Sequence, residues 1–185
     1  MMRKMLLTLT PTALLLLTMA GGVQAASNTT IHITGTVVAA TCDVSASTTN
    51  LDLGNYRPSQ FLTPATPVAS SQRQFTVGLS NCQTPLAVSD TANLLVTGAT
   101  LGGNANIFSD SGTNTGVMLS LVSSPTDFIS SGDKLLVATA TAITDATDFN
   151  GQTLSFNAGL ASSSSLANVD LGTVSAPITF QFAYN

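Results

Sequence analysis

The side chains best suited to chemistry in this sequence are one histidine, nine acidic residues (all Asp) and two cysteines. Their spacing supports little reactivity. His32 alternates with Ile31 and Ile33, which puts its imidazole on the polar, solvated face of a strand. A zinc or copper site needs more imidazoles or free thiols than this chain has. A glycosidase pair needs two carboxylates held together, whereas these Asp residues are scattered singly. Asp145, Asp148 and Asn150-Gly151 approximate a calcium loop, but that loop closes on a bidentate acid, and the chain has no Glu. They read instead as a polar hairpin loop. Gly102-Gly103 lacks the Lys-Ser/Thr that makes a phosphate loop. The expectation is no cofactor, no metal and no enzymatic activity.

The cysteines take their meaning from the start of the chain. Arg3 and Lys4 precede an apolar run from Met5 to Ala20, then Gly21-Gly22 and Val23-Gln24-Ala25. This is the layout of a secretory signal peptide, residues 1–25, cleaved after Ala25. A spanning helix needs ~20 apolar residues, so no transmembrane segment is expected in the mature chain. Export leads through an oxidising compartment, where Cys42 and Cys82 read as one intramolecular disulfide. A free thiol or a metal ligand is the alternative.

Charge narrows the partners. Charged residues make up 8% of the chain, against roughly 25% in an average soluble domain. With 44% hydrophobic residues, disorder is excluded. Five Lys and Arg against nine acids cannot neutralise a row of phosphates, so nucleic acid is excluded too. Beyond the leader only Arg57, Arg73 and Lys134 are cationic.

What must position these residues is a set of strands. Period-2 alternation runs through Ile31–Val37, Leu51–Leu53, Phe75–Leu79, Val117–Leu121 and Leu154–Leu160, the last introduced by the tight-turn pair Asn150-Gly151. The longest run is the last. Val174, Ala176, Ile178, Phe180, Phe182 and Tyr184 alternate with smaller or polar residues, and Pro177 marks a weakly paired edge early in it. Residues 58–71, 102–112 and 162–165 read as turn-rich linkers. About seven short strands in one domain fit an all-β sandwich, with the disulfide tying the first core strand to the third.

The two ends stand out. The first strand follows closely on the leader, and a strand there must satisfy its ladder somewhere. The last is the most apolar and has no following strand to cover it, an aggregation hazard unless another strand fills the edge. The chain thus offers a detachable strand and lacks one.

In these features the sequence resembles the pilins of the chaperone–usher pathway, of the type 1 fimbrial major-subunit kind. The resemblance covers nearly all of the mature chain: Gly-Thr-Val-Val-Ala-Ala-Thr-Cys at 35–42, Leu-Asp-Leu-Gly at 51–54, Phe-Thr-Val-Gly-Leu-Ser-Asn-Cys at 75–82, Gly-Val-Met-Leu-Ser-Leu at 116–121, Leu-Ser-Phe-Asn-Ala at 154–158 and the ending Phe-Gln-Phe-Ala-Tyr-Asn. Tyr184 is penultimate and Gly172 lies fourteenth from the end, as in the family pattern.

The resemblance implies an incomplete immunoglobulin-like β-sandwich that lacks its final strand. It implies a donor-strand extension at residues 26–38 and a pilin domain at 39–185. The donor residues would be Thr29, Ile31, Ile33, Gly35 and Val37. The acceptor groove and C-terminal motif would be Gly172, Ile178, Phe180, Phe182 and Tyr184. Partners would be a periplasmic chaperone, an outer-membrane usher and identical or related pilin subunits in an extracellular fibre on the cell surface. The implied role is a pilus shaft subunit serving cell adhesion, with a minor adaptor or tip adhesin as the alternative.

Overall fold

The computed structural model describes residues 41–185. The leader, His32 and the segment carrying Thr29, Ile31, Ile33, Gly35 and Val37 lie outside the described residues. The rest is built from ten strands: β1 (Asp43–Ala46), β2 (Arg73–Ser80), β3 (Thr91–Gly98), β4 (Thr100–Leu101), β5 (Asn104–Phe108), β6 (Thr115–Leu121), β7 (Ser124–Ile129), β8 (Lys134–Thr139), β9 (Thr153–Ser162) and β10 (Ile178–Tyr184). One sheet has the order β1-β2-β9-β6-β5-β4, with β7 also on β6; the other has the order β10-β3-β8. Every pairing is antiparallel. Antiparallel sheets bury one face each, which is why alternation is visible in so many runs. The buried faces meet in a core that includes Val77, Leu79, Leu94, Val96, Phe108, Leu119 and Phe156. No helix among the described residues is long and apolar enough to cross a membrane.

The expected strands at 75–79, 117–121 and 154–160 fall inside β2, β6 and β9. Several expectations need correction. Leu51–Leu53 is not a strand: it joins no ladder, and the Asp52 carboxylate accepts the Gly54 N–H at 2.8 Å instead. Residues 102–112 are not a plain linker. Gly103, with φ +82°, turns β4 back into β5, whose Ile107 and Phe108 are fully buried. The last strand starts at Ile178 rather than Val174, directly after Pro177, which has no N–H for a ladder. The apolar face continues upstream nonetheless, since Val174 and Ala176 also pack on the core.

Cys42 and Cys82 are bonded to each other. They flank β1 and β2, hydrogen-bonded neighbours in one sheet, rather than a first and third strand. The 58–71 segment holds two single 3-10 turns, Pro58–Gln60 and Ala69–Ser71. The buried Ser71 hydroxyl pins it to β9, donating to the Val68 carbonyl at 2.7 Å and accepting the Leu160 N–H at 2.8 Å. Asp145 and Asp148 serve local turns. Asp145 accepts from the Thr147 N–H and hydroxyl, and Asp148 from those of Thr141.

Candidate functional site

β10 is paired along one edge only. Its register on β3 runs from Ile178 opposite Gly98 to Tyr184 opposite Ala92. Its other edge has no ladder partner among the described residues. Facing it across the sandwich is β1, the edge of the other sheet. The two edges do not pair, and a groove lies between the segment after β1 and the stretch that leads into β10.

The groove has two continuous parts. The wider holds about 620 Å³, between Thr48–Leu51 on one side and Val174–Phe180 on the other, with Phe75, Val117, Leu119 and Ala158 at its floor. The narrower, about 400 Å³, reaches Tyr56, Phe61, Leu160 and Val169. Both are lined by Leu51, Leu53, Val117, Val174 and Ala176. Residues that should finish the core are therefore incompletely covered. Ile178, Phe180, Phe182 and Tyr184 pack against it but remain half-buried, while Thr179 and Gln181 face solvent.

Phe180 bridges the sheets. Its ring lies 5.1 Å from that of Phe156 on β9 and 5.8 Å, edge to face, from that of Phe75 on β2. Phe75 and Phe156 stack at 5.2 Å. Offset and edge-on contacts of this kind add to simple burial.

Tyr184 closes the other end of β10. Its hydroxyl donates to the Asp90 carboxylate and accepts the Leu86 N–H at 2.9 Å. Asp90 also accepts the N–H groups of Leu86 and Ala87, and Thr91 and Asn185 exchange both backbone bonds. The Tyr184 hydroxyl and then the Ala87 N–H hold Asp90 below its ordinary pKa. Burial, then the bond to Asp90, raises that of Tyr184.

Gly172 lines the narrower part of the groove with φ +152°, a backbone region that side chains strain. Of the expected acceptor residues, Ile178 and Phe180 line the wider part of the groove and Gly172 the narrower, while Phe182 and Tyr184 line neither. The donor residues fall outside the described residues. The sequence reading missed the opposite wall, Leu51 and Leu53, and the floor, because each belongs to an element read on its own. It missed Asp90 because nothing local marks a carboxylate that serves a residue far along the chain.

A model of the fimbrial protein family matches residues 31–185. The chain belongs to the fimbrial protein family. Subunits of this family are exported and assembled into extracellular fimbriae, a structural rather than a catalytic task. Among solved structures, the P pilus rod subunit PapA aligns with a TM-score of 0.54 at 18% identity, over 84% of this chain and 99% of that one. A structure of a chaperone–usher pilus aligns with a TM-score of 0.48 at 18% identity, over 86% and 97%. No curated protein sequence matches. The fold is an immunoglobulin-like sandwich short of one strand.

Proposed function

We propose that this fimbrial protein is a shaft subunit of a chaperone–usher fimbria, polymerised by donor-strand exchange and serving cell adhesion. The observation that carries the reading is the edge of β10, without a ladder partner among the described residues, beside a groove whose floor is apolar. In this reading residues 1–25 are removed on export, 26–38 are the donor strand and 39–185 the body. A strand of a periplasmic chaperone occupies the groove first. At the outer-membrane usher the donor strand of the next copy replaces it, which is strand addition by exchange. Ile31, Ile33 and Val37 fill the groove, flanked by Thr29, and the small Gly35 suits a shallow point along it. Burying two Ile and one Val contributes roughly 5–9 kcal/mol, at ~1.5–3 kcal/mol each, before ordering costs. Leaving the fibre then means reopening a core. One donor segment and one acceptor groove per chain suffice for a repeating shaft.

Two substitutions test this. Ile33→Asp lies in the donor, so the subunit still forms its chaperone complex but loses SDS-resistant, heat-dissociable multimers, because an unpaired carboxylate would enter an apolar groove. Phe180→Asp lies in the subunit's own core and abolishes the chaperone complex as well. Wild-type polymerisation by Ile33→Asp overturns the assignment of the donor strand.

A further inference from the structure

The large exposed apolar side chains are concentrated at the two ends of the sandwich. At the disulfide end, the loop after Cys82 exposes Leu86 and Val88. The loop after β8 exposes Ile143 beside them, tied in by backbone bonds between Ala140 and both Ser89 and Asp90. At the far end, Leu62, Leu166 and Leu171 surround Phe61. Leu62 follows it, the Leu166 N–H donates to its carbonyl at 3.0 Å, and Leu171 lines the same part of the groove. Leu171 is 81% exposed and Leu62 74%, too much for residues that merely edge a core.

Charge divides the same way. Arg57, Arg73 and Lys134, every cation of the described chain, stand at or near the far end, beside Asp52, Asp110, Asp133 and Asp170. The disulfide end carries Asp43, Asp90, Asp145 and Asp148 and no cation among the described residues.

The chain's own spacing says what covers these ends. This argument rests on the donor-strand reading above. A strand joining β10 antiparallel, like every pair in both sheets and the more stable mode per residue, runs from Tyr184 back toward Ile178. Val37 of the donor then lies at the far end of the accepting copy. Five residue steps from there to Cys42 span at most about 17 Å. The disulfide end of the donating copy must sit against the far end of the accepting one.

We propose that these two ends form a second interface between successive copies, with Leu86, Val88 and Ile143 of one body docking on Leu62, Leu166 and Leu171 of the preceding one, and acidic groups facing Arg57, Arg73 and Lys134. The contact is heterologous, so it repeats without closing on itself. It sets the angle between bodies that a flexible strand alone would leave open.

Cysteine cross-linking in assembled fibres tests it, since the native cysteines are both bonded. The full chain carrying Leu86→Cys and Leu171→Cys, treated with a short bis-maleimide and then boiled in SDS, gives a ladder of multimers. Leu86→Cys alone gives none. A dimer from Leu86→Cys alone means like ends meet, which overturns the proposal. So does the absence of a ladder from both this pair and Leu62→Cys with Ile143→Cys while unboiled multimers persist. Absence of unboiled multimers in the untreated wild-type chain instead overturns the donor-strand reading itself. Leu62→Asp, outside the groove, adds a further check: fibres still form but dissociate at a lower temperature than wild type, and unchanged dissociation counts against the interface.

Discussion

β3 and β10 are neighbours in one sheet, and both are built to be buried. β3 has β10 on one side and β8 on the other, and its Leu94 and Val96 are 0% exposed. Among the described residues β10 has a partner on one side only, and its Ile178, Phe180 and Phe182 stop half-way to burial. Hydrophobicity does not separate the two strands; the supply of neighbours does. The described residues carry more apolar strand surface than they cover. That excess is specific: it lies along one edge, with its polar residues facing outward, as a strand needs in order to receive another.

Paired truncations sharpen the contrast most. Phe156→Ala, on the closed side, should cost about 3–5 kcal/mol in chemical denaturation, with or without a peptide of residues 26–38. Phe180→Ala should cost less in the free chain and approach the Phe156 value once the peptide fills the groove. Equal cost in both conditions would mean that the groove is not completed there. An intermediate effect is expected at the groove's narrow end. Gly172→Ala puts a side chain into a strained backbone region and should lower stability by about 1–2 kcal/mol, with Gly102→Ala, in an open turn without positive φ, as the comparison.

The smallest effect concerns pH. Asp90 has a depressed pKa, so the unfolded chain takes up its proton first as pH falls. Its contribution is full above the ordinary carboxylate value of 3.8 and is lost as pH drops through the lower folded value. Tyr184→Phe removes the largest cause of that depression. Its melting temperature should therefore fall less than that of the wild type between pH 5 and pH 2. Parallel curves would mean that the Tyr184–Asp90 bond does not hold the end of β10.

How much of this was visible beforehand depended on which faces met water. β2, β9 and β10 alternate apolar residues with polar or small ones, and period-2 reading finds them; β6 is found through Val117, Leu119 and Leu121, although Met118 and Ser120 between them are buried as well. β3 hides its period because Leu95 adds an apolar residue to the second face. β8 hides it because Leu136 is apolar and exposed. β7 carries Pro125 and Asp127, which read as turn residues. At Leu51–Leu53 the reverse happened: the residue types alternate, but the segment joins no ladder, and Leu51 is exposed while Leu53 is buried. The groove's own strand was legible from Ile178 to Tyr184. Its opposite wall was not, since no local pattern says which distant loop will face it.

The scarcity of cations has a consequence for survival outside the cell. Proteases whose specificity pocket requires Lys or Arg find three such side chains between residue 5 and the end of the chain, at Arg57, Arg73 and Lys134. The bond after Arg57 runs into Pro58. Arg73 opens β2, where it is laddered to Ala158 and cannot reach into a cleft without melting the sheet. Lys134 is laddered too, to Leu95, but on the edge strand β8, which makes the bond between Lys134 and Leu135 the least protected of the three. A surface of hydroxyls and amides with so few basic residues is therefore a coat that digestive enzymes of this class can scarcely grip.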